Sequence, residues 1–442
     1  MTFRPEGRAL AMRPAAYREI AVEPLAPEAG RQLAEALLGR DPSVERLPTL
    51  IQERTAGNPF FIEELVESLR ESGALVGERG ALRLTRAVDA VVMPESAQVL
   101  LSSRIDRLAD DSKAILQAAA VIGRTFAPVV LAAVLGRPAG DLTSVLDELV
   151  EADFLQRDGG SGAPSYSFRH PLTQEAAYRS QLGEVRARCH AAVAAALEAL
   201  HGERVHEHAA LLASHYEAAG RKTEAARWHE RAARWAGLHD RTEALRHWRA
   251  VRALIADDPH AEDTRPLALA ACLGLLHHGA FFGESESELA ATFAEGSELA
   301  ERTANREAAI LIRLGFAVAR HLAGASREAL EHLGEAMRRA EAASRDDLLY
   351  LTSCVLVETL LTTGDVREAL AASERAMTIA RGDADLCAHR VGFSPLAALT
   401  TLRGLLRALG GDVTAGLRDV EAGMEIARRR GDLEVVATGC PD

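Results

Sequence analysis

Apolar residues recur at helical rather than strand spacing along almost the whole of this chain. Phe61, Ile62, Leu65, Val66 and Leu69 mark one face of a helix that Asn58 caps and Gly73 closes. Pro59 takes its first position, where a missing N–H costs nothing. Ahead of it Pro24, Pro27, Pro42 and Pro48 divide the chain into short helices, and Gly77-Glu78-Arg79-Gly80 predicts a small hairpin. From Pro94 the pattern tightens. Ala97, Leu101, Ile105 and Leu108 predict one helix, and a second, capped by Asp110 or Asp111, runs through Ile122 to Gly123. A third spans about 127–135 and stops at Gly136. A fourth, capped by Asp141, carries Leu142, Val145, Leu146 and Leu149. Two short apolar stretches, 154–157 and 166–168, flank a glycine-rich turn and predict a second hairpin.

Three helices followed by a hairpin is the layout of a winged helix, which raises the question of DNA. Residues 94–200 hold ten Lys and Arg against thirteen Asp and Glu. The helix that would enter the major groove, about 141–152, carries Asp141, Asp147, Glu148 and Glu151 with no basic residue. Such a helix meets phosphates on both sides and is repelled by them. The module is expected to be structural, with no nucleic-acid partner.

Beyond about residue 200 the periodicity is helical to the end. Gly220, Gly324, Gly364 and Gly411 each separate two apolar helices. Gly220 is followed by Ala225 and Ala232, Gly324 by Ala329 and Ala336, and Gly364 by Ala369 and Ala376. The recurring offsets of five and twelve suit paired helices that approach closely at small residues. After Gly411 the alanines are replaced by Gly416 and Gly423. The segments resemble tetratricopeptide repeats in degenerate form. They predict a right-handed stack of antiparallel pairs over about 205–435, with one concave face for a protein partner.

Composition narrows the picture only a little. Of 442 residues, 48% are apolar and 26% charged, and the net charge is −13. No uncharged apolar run approaches the ~18 residues that would cross a bilayer. Five cysteines without Cys-x-x-Cys or framework spacing read as small buried residues, and the expected location is cytoplasmic, with no membrane partner. Histidines cluster at His201, His206, His208 and His215 without the pattern of a metal site, so they are expected to be exposed helix residues. Acidic pairs such as Glu63-Glu64 are expected on solvent faces. No nucleophile motif is present.

Two runs carry a resemblance. Gly57-Asn58-Pro59-Phe60-Phe61-Ile62-Glu63-Glu64-Leu65 resembles the Gly-x-Pro motif of STAND-class signalling ATPases, AAA-like switches whose proline packs on adenine. Phe168-Arg169-His170-Pro171, at the end of the second hairpin, is similar to the place of the family histidine that bonds the β-phosphate of ADP. Thr2-Phe3-Arg4-Pro5-Glu6 is similar to the end of the fourth core strand, with Arg4 as the sensor arginine, and 17–25 resembles the last core strand. The resemblance implies a mostly α chain: an NTPase-core remnant at 1–25, helical lid at 26–92, winged-helix domain at 93–200, and a tetratricopeptide-like α-solenoid at 201–442. Its nucleotide-contacting residues would be Arg4, Gly57, Asn58, Pro59 and His170.

Within that family these runs, with Ser103-Arg104-Ile105-Asp106-Arg107-Leu108, are most like the adenylate/guanylate cyclase-linked ATPases, and next most like the large LuxR-type regulators. No Gly-x-x-x-x-Gly-Lys-Ser/Thr loop or acidic metal-holding strand is present. The expectation is therefore a chain that starts inside the ATPase core, with no output domain. It would be no enzyme, with ATP or ADP as cofactor of the intact parent and weak or no nucleotide binding of its own. A free-standing repeat adaptor without a nucleotide role is the other reading, and ADP binding separates the two.

Overall fold

A computed structural model describes residues 23–432, apart from 89–93, 95, 159–163, 238–239, 260 and 283. Arg4 and nearly all of the expected core remnant lie outside the described residues. The chain divides between Cys189 and His190 into two compact units, with separate hydrophobic cores.

The first unit begins with α1 (Pro27–Leu38), α2 (Leu47–Thr55) and α3 (Pro59–Glu71), which close on Leu38, Leu47, Ile51, Ile62 and Leu65. The first expected hairpin forms as β1 (Leu75–Val76) and β2 (Arg83–Leu84). Next come α4 (Ala97–Asp106), α5 (Asp110–Ile122), β3 (Thr125–Phe126), α6 (Pro128–Leu135) and α7 (Thr143–Glu151). The second hairpin, β4 (Leu155–Asp158) and β5 (Ser165–Phe168), is antiparallel, and β3 joins it in the order β3-β5-β4. These helices, the hairpin and a third short strand make up the rest of the first unit. Only β3 was not legible, because two residues are too short to show an alternation.

Two caps differ from expectation. Ala109 precedes α5, so Asp110 and Asp111 sit in its first turn, where carboxylates favour the positive helix end. Asp141 lies in a 3-10 turn at Ala139–Leu142, and α7 starts after it.

The acidic pair on α3 also departs from the sequence reading. Glu63 is exposed, but Glu64 is 9% exposed and faces Arg104 of α4, itself 3% exposed. Arg104 bonds Glu64, donates to Glu71 at 2.8 Å and to the Ala152 carbonyl at 3.0 Å, and lies 4.9 Å over the Phe154 ring. Periodicity cannot distinguish a buried carboxylate from a solvated one when its partner is 40 residues away. Burial pushes the Glu64 carboxyl up against the pull of Arg104.

The second unit is a succession of helices. The chain enters it within α9 (Gly183–His201), followed by α10 (Ala209–Ala218), α11 (Lys222–Ala236), α12 (Arg241–Leu254) and α13 (Arg265–Gly279). Then α14 (Glu286–Arg302), α15 (Arg306–Leu322), α16 (Ser326–Ala342), α17 (Asp346–Thr363) and α18 (Val366–Ala380) start at regular steps of twenty residues. After the short α19 (Ala388–Val391), α20 (Pro395–Leu409) and α21 (Val413–Arg430) form the last pair. From α10 to α18 each helix packs on the next, as α18 does on α20 and α20 on α21, while α13, α15, α17 and α20 also touch in series. That is the arrangement of a tetratricopeptide-like α-solenoid.

The four expected turn glycines all have positive φ, from 71° at Gly220 to 100° at Gly411. The six paired alanines are all buried. In the last pair a Cβ on Gly423 would lie 2.7 Å from the Ala397 carbonyl oxygen, and one on Gly416 would lie 2.6 Å from that of Gly404. There α20 and α21 meet backbone to backbone, so glycine replaces alanine.

Two outcomes test this packing in thermal or urea melts. Ala329→Leu and Ala369→Leu should each cost about 1–3 kcal/mol through overpacking, while Arg327→Leu, at an exposed position, stays near neutral. Equal, negligible effects at all three would contradict the solenoid contacts. Arg104→Ala should cost about 3–5 kcal/mol by stranding a buried carboxylate. Arg104→Met combined with Glu64→Met should recover most of that loss.

Candidate functional site

The turn into α3 is built from two consecutive left-handed residues, Ala56 at φ 48° and Gly57 at φ 74°. Gly57 is also held from outside, because its carbonyl accepts the Leu25 N–H at 2.8 Å. A Cβ there would lie 2.2 Å from the Leu25 carbonyl oxygen, so both φ and space require glycine. Asn58 then caps α3, its Oδ1 accepting the Phe61 N–H at 3.3 Å, and Pro59 occupies the first helical position. Asn58 and Pro59 are both exposed.

His170 lies two residues beyond β5 and caps α8 (Pro171–Arg179). Its Nδ1 accepts the Leu172 N–H at 3.2 Å, so the neutral ring carries its proton on Nε2. Burial, with the Arg124 guanidinium adding to it, pulls the imidazole pKa down and keeps the ring neutral. Nε2–H is thus a donor without a protein acceptor among the described residues.

The structure brings these two elements together through a residue the sequence reading passed over. Phe60 stacks on His170 with ring centroids 3.6 Å apart and planes 10° from parallel. Phe60, the residue after Pro59, thus joins the start of α3 to His170. Arg124 is the second unforeseen member. It is exposed, sits between α5 and β3, and has no ion pair among the described residues. Its carbonyl accepts the Phe168 N–H at 2.9 Å, which ties it to the end of β5, two residues before His170. Phe60 was legible as an aromatic at the second helical position, but its partner lies 110 residues on and no local pattern announces it. Among these residues the structure shows one direct contact between the two elements, the stack of Phe60 on His170.

Among the described residues, no three His, Cys, Asp or Glu side chains are placed to share an ion. Nor is His215 exposed as expected: it is 6% exposed, on the inner face of α10, with its Nδ1 2.9 Å from that of His190. A second buried pair, His229 and His247, has Nδ1 atoms 2.6 Å apart. Here a relay satisfies every ring nitrogen. Arg246 donates to His247 Nε2 at 3.1 Å, one Nδ1–H bridges the rings, and His229 Nε2–H reaches Glu217. Glu243 lies 3.3 Å from His247 Nε2 but is engaged by Arg246.

A scan against family models matches residues 27–83 to a domain of unknown function (DUF8739). No curated protein matches the chain. Among solved structures, it is similar to a Signal Transduction ATPase with Numerous Domains (STAND) protein with a tetratricopeptide repeat sensor from Pyrococcus horikoshii. Identity is 11% and the TM-score 0.37; the match covers 94% of this chain and 62% of that one. The chain therefore spans less than two thirds of that protein's length. No single helix among the described residues is long and apolar enough to cross a membrane.

The histidine pairs generate a pH prediction. Burial pushes His215 and His247 down to about 4 from 6.5, with His190 adding to the shift in the first and Arg246 and His229 in the second. Unfolding restores the higher pKa, so the unfolded chain binds more protons in between. Their contribution is complete above 6.5 and is lost progressively as pH falls toward 4. Urea midpoints should drop between about pH 7.5 and about pH 5.5, and a His215→Gln/His247→Gln variant should show a flatter slope.

Proposed function

We propose that the first unit supplies the lid and winged-helix side of an adenine-nucleotide switch of the STAND type, and that the repeat unit is its protein-binding portion. The supporting observation is the Phe60–His170 stack, which links the residue after Pro59 to a histidine whose Nε2–H has no acceptor among the described residues. In this reading Pro59 covers the adenine face, His170 Nε2–H donates to a β-phosphate oxygen, and Arg124 supplies the opposing charge. A neutral imidazole suits the task, because it donates one directed hydrogen bond without needing to be protonated. Arg4 and the other phosphate-binding groups are proposed to belong to the NTPase core of the intact signalling protein. The runs at 57–65, 103–108 and 168–170 favour its cyclase-linked branch. The chain itself is proposed not to hydrolyse ATP, since most phosphate affinity in such sites comes from glycine-loop amides and a lysine.

The test is titration of a fluorescent ADP analogue into the purified chain, with a parallel ATP turnover assay. Weak binding is expected, reduced about tenfold or more by His170→Ala, in line with loss of a hydrogen bond to a charged group. Arg124→Gln should reduce it similarly. ATP turnover above background that disappears in the His170→Ala protein would overturn the assignment. Complete failure to bind ADP would instead favour the repeat-adaptor reading.

A further inference from the structure

Two buried imidazoles on adjacent helices stand between an exposed guanidinium and an exposed carboxylate, and this order fixes where each proton of the set lies. At one end Arg246 of α12 can only donate, so His247 Nε2 accepts from it at 3.1 Å. At the other end the Glu217 carboxylate of α10 can only accept, so His229 of α11 donates to it through Nε2–H. A neutral ring carries one proton, so His247 holds its own on Nδ1 and donates it to His229 Nδ1, 2.6 Å away. The two imidazoles are buried, while Glu217, Glu243 and Arg246 reach solvent.

The same groups allow a second arrangement. Glu243, one turn before His247 on α12, places Oε1 3.3 Å from His247 Nε2 while accepting from Arg246 at 2.6 Å. A proton added at His247 Nε2 is donated to Glu243 and displaces the donation from Arg246. The bridging proton then passes from His247 Nδ1 to His229 Nδ1. That leaves His247 neutral in its other tautomer and puts the charge on His229, against Glu217. Every ring nitrogen again has a partner, and only the bond from Arg246 to His247 is given up. A charge on His247 itself is less well placed: burial first, then Arg246 and His229, oppose it, and only Glu243 favours it. Charged groups on the packed elements are engaged elsewhere. On α13, His277 and His278 act with Arg241 at the start of α12, Cys272 with Glu295 and Arg252, and Arg265 lies more than two turns before the Gly274 that Trp248 packs on. In the Gly202–His208 turn Arg204 pairs with Glu207, His208 stacks on His201, and Glu203 and His206 are exposed. On α10, His215 meets His190 and Tyr216 bonds Glu198.

We propose that His229 and His247 form a one-proton switch within the repeat unit: the pair takes up a single proton as a unit, with the charge on His229 and the tautomer of His247 reversed. Its output lies on the exposed edge of α12. Arg246 donates to His247 in the unprotonated state and is released from it in the protonated one, when Glu243 becomes the acceptor for both. A change of pH is thereby converted into a change in the charged groups that α10 and α12 present, while the rings stay bonded to each other. The switch is built from α10, α11 and α12 alone and does not depend on the nucleotide assignment.

The experiment uses the whole chain with its histidine rings labelled with nitrogen-15, followed by proton–nitrogen correlation NMR from about pH 8 to about pH 5, a range centred on the ordinary histidine pKa. His229→Gln and His247→Gln variants assign the two rings. The expected result is a His247 ring that changes from Nδ1–H to Nε2–H without becoming charged, and a His229 ring that becomes charged at the same midpoint. Glu217→Gln keeps a hydrogen-bond acceptor at an exposed position but removes the counter-charge, and should lower that midpoint by about one pH unit or more. Arg246→Ala should raise it, because the donor that holds His247 in its Nδ1–H form is gone. The proposal is overturned if His247 becomes charged before His229, or if the two rings titrate at separate midpoints with no change of tautomer. It is equally overturned if Glu217→Gln and Arg246→Ala both leave the midpoint where the parent has it.

Discussion

Arg104 determines how the first unit is assembled. A guanidinium that is almost wholly buried must find carboxylates or carbonyls for its N–H groups. It takes Glu64 and Glu71 from α3 and the Ala152 carbonyl beyond α7. Those two glutamates are seven residues apart, so one side chain grips α3 at two successive levels and fixes its rotation about its own axis. The rotation of α3 decides where Phe60 points, and Phe60 decides where the His170 ring lies. The ion pair is therefore better understood as setting orientation than as adding stability, since a buried pair recovers little beyond its desolvation cost.

The repeat unit solves a different problem, which is to bury many short helices without a large common core. It does so with alanine faces and a regular step. Turns with positive φ fall at Ala304, Gly324, Ser344 and Gly364, twenty residues apart, alternating between a non-glycine residue and glycine. Polar relays add register among the first helices of the array. His190 meets His215 across α9 and α10, and Glu217, His229 and His247 link α10, α11 and α12.

The sequence carried the helix layout, both hairpins and the alanine offsets plainly, because each is a local pattern with a local cause. It showed only half of the repeat rhythm. Gly324 and Gly364 announce their turns, whereas Ala304 and Ser344 adopt the same conformation without a residue that advertises it. At the candidate site the members were legible singly, Asn58 and Pro59 as a helix start and His170 as a strand-to-helix junction. Their meeting was not, because it depends on Phe60 crossing to a ring 110 positions away. Glu64 and His215 were misplaced on solvent faces for the same reason. A polar residue on an amphipathic helix is buried or exposed according to partners that periodicity does not reveal.

The twenty-residue step gives the array a modular grammar. Because α13, α15, α17 and α20 touch in series and the turn conformations repeat every two helices, a helix pair presents the same two edges to whatever precedes and follows it. Duplicating or deleting one forty-residue unit in the α14–α18 stretch would restore matching contacts on both sides and leave no orphaned face. Lineages that carry this fold can therefore change the length of the array by recombination between units. The array can then vary in length while the first unit, locked around Arg104, stays constant.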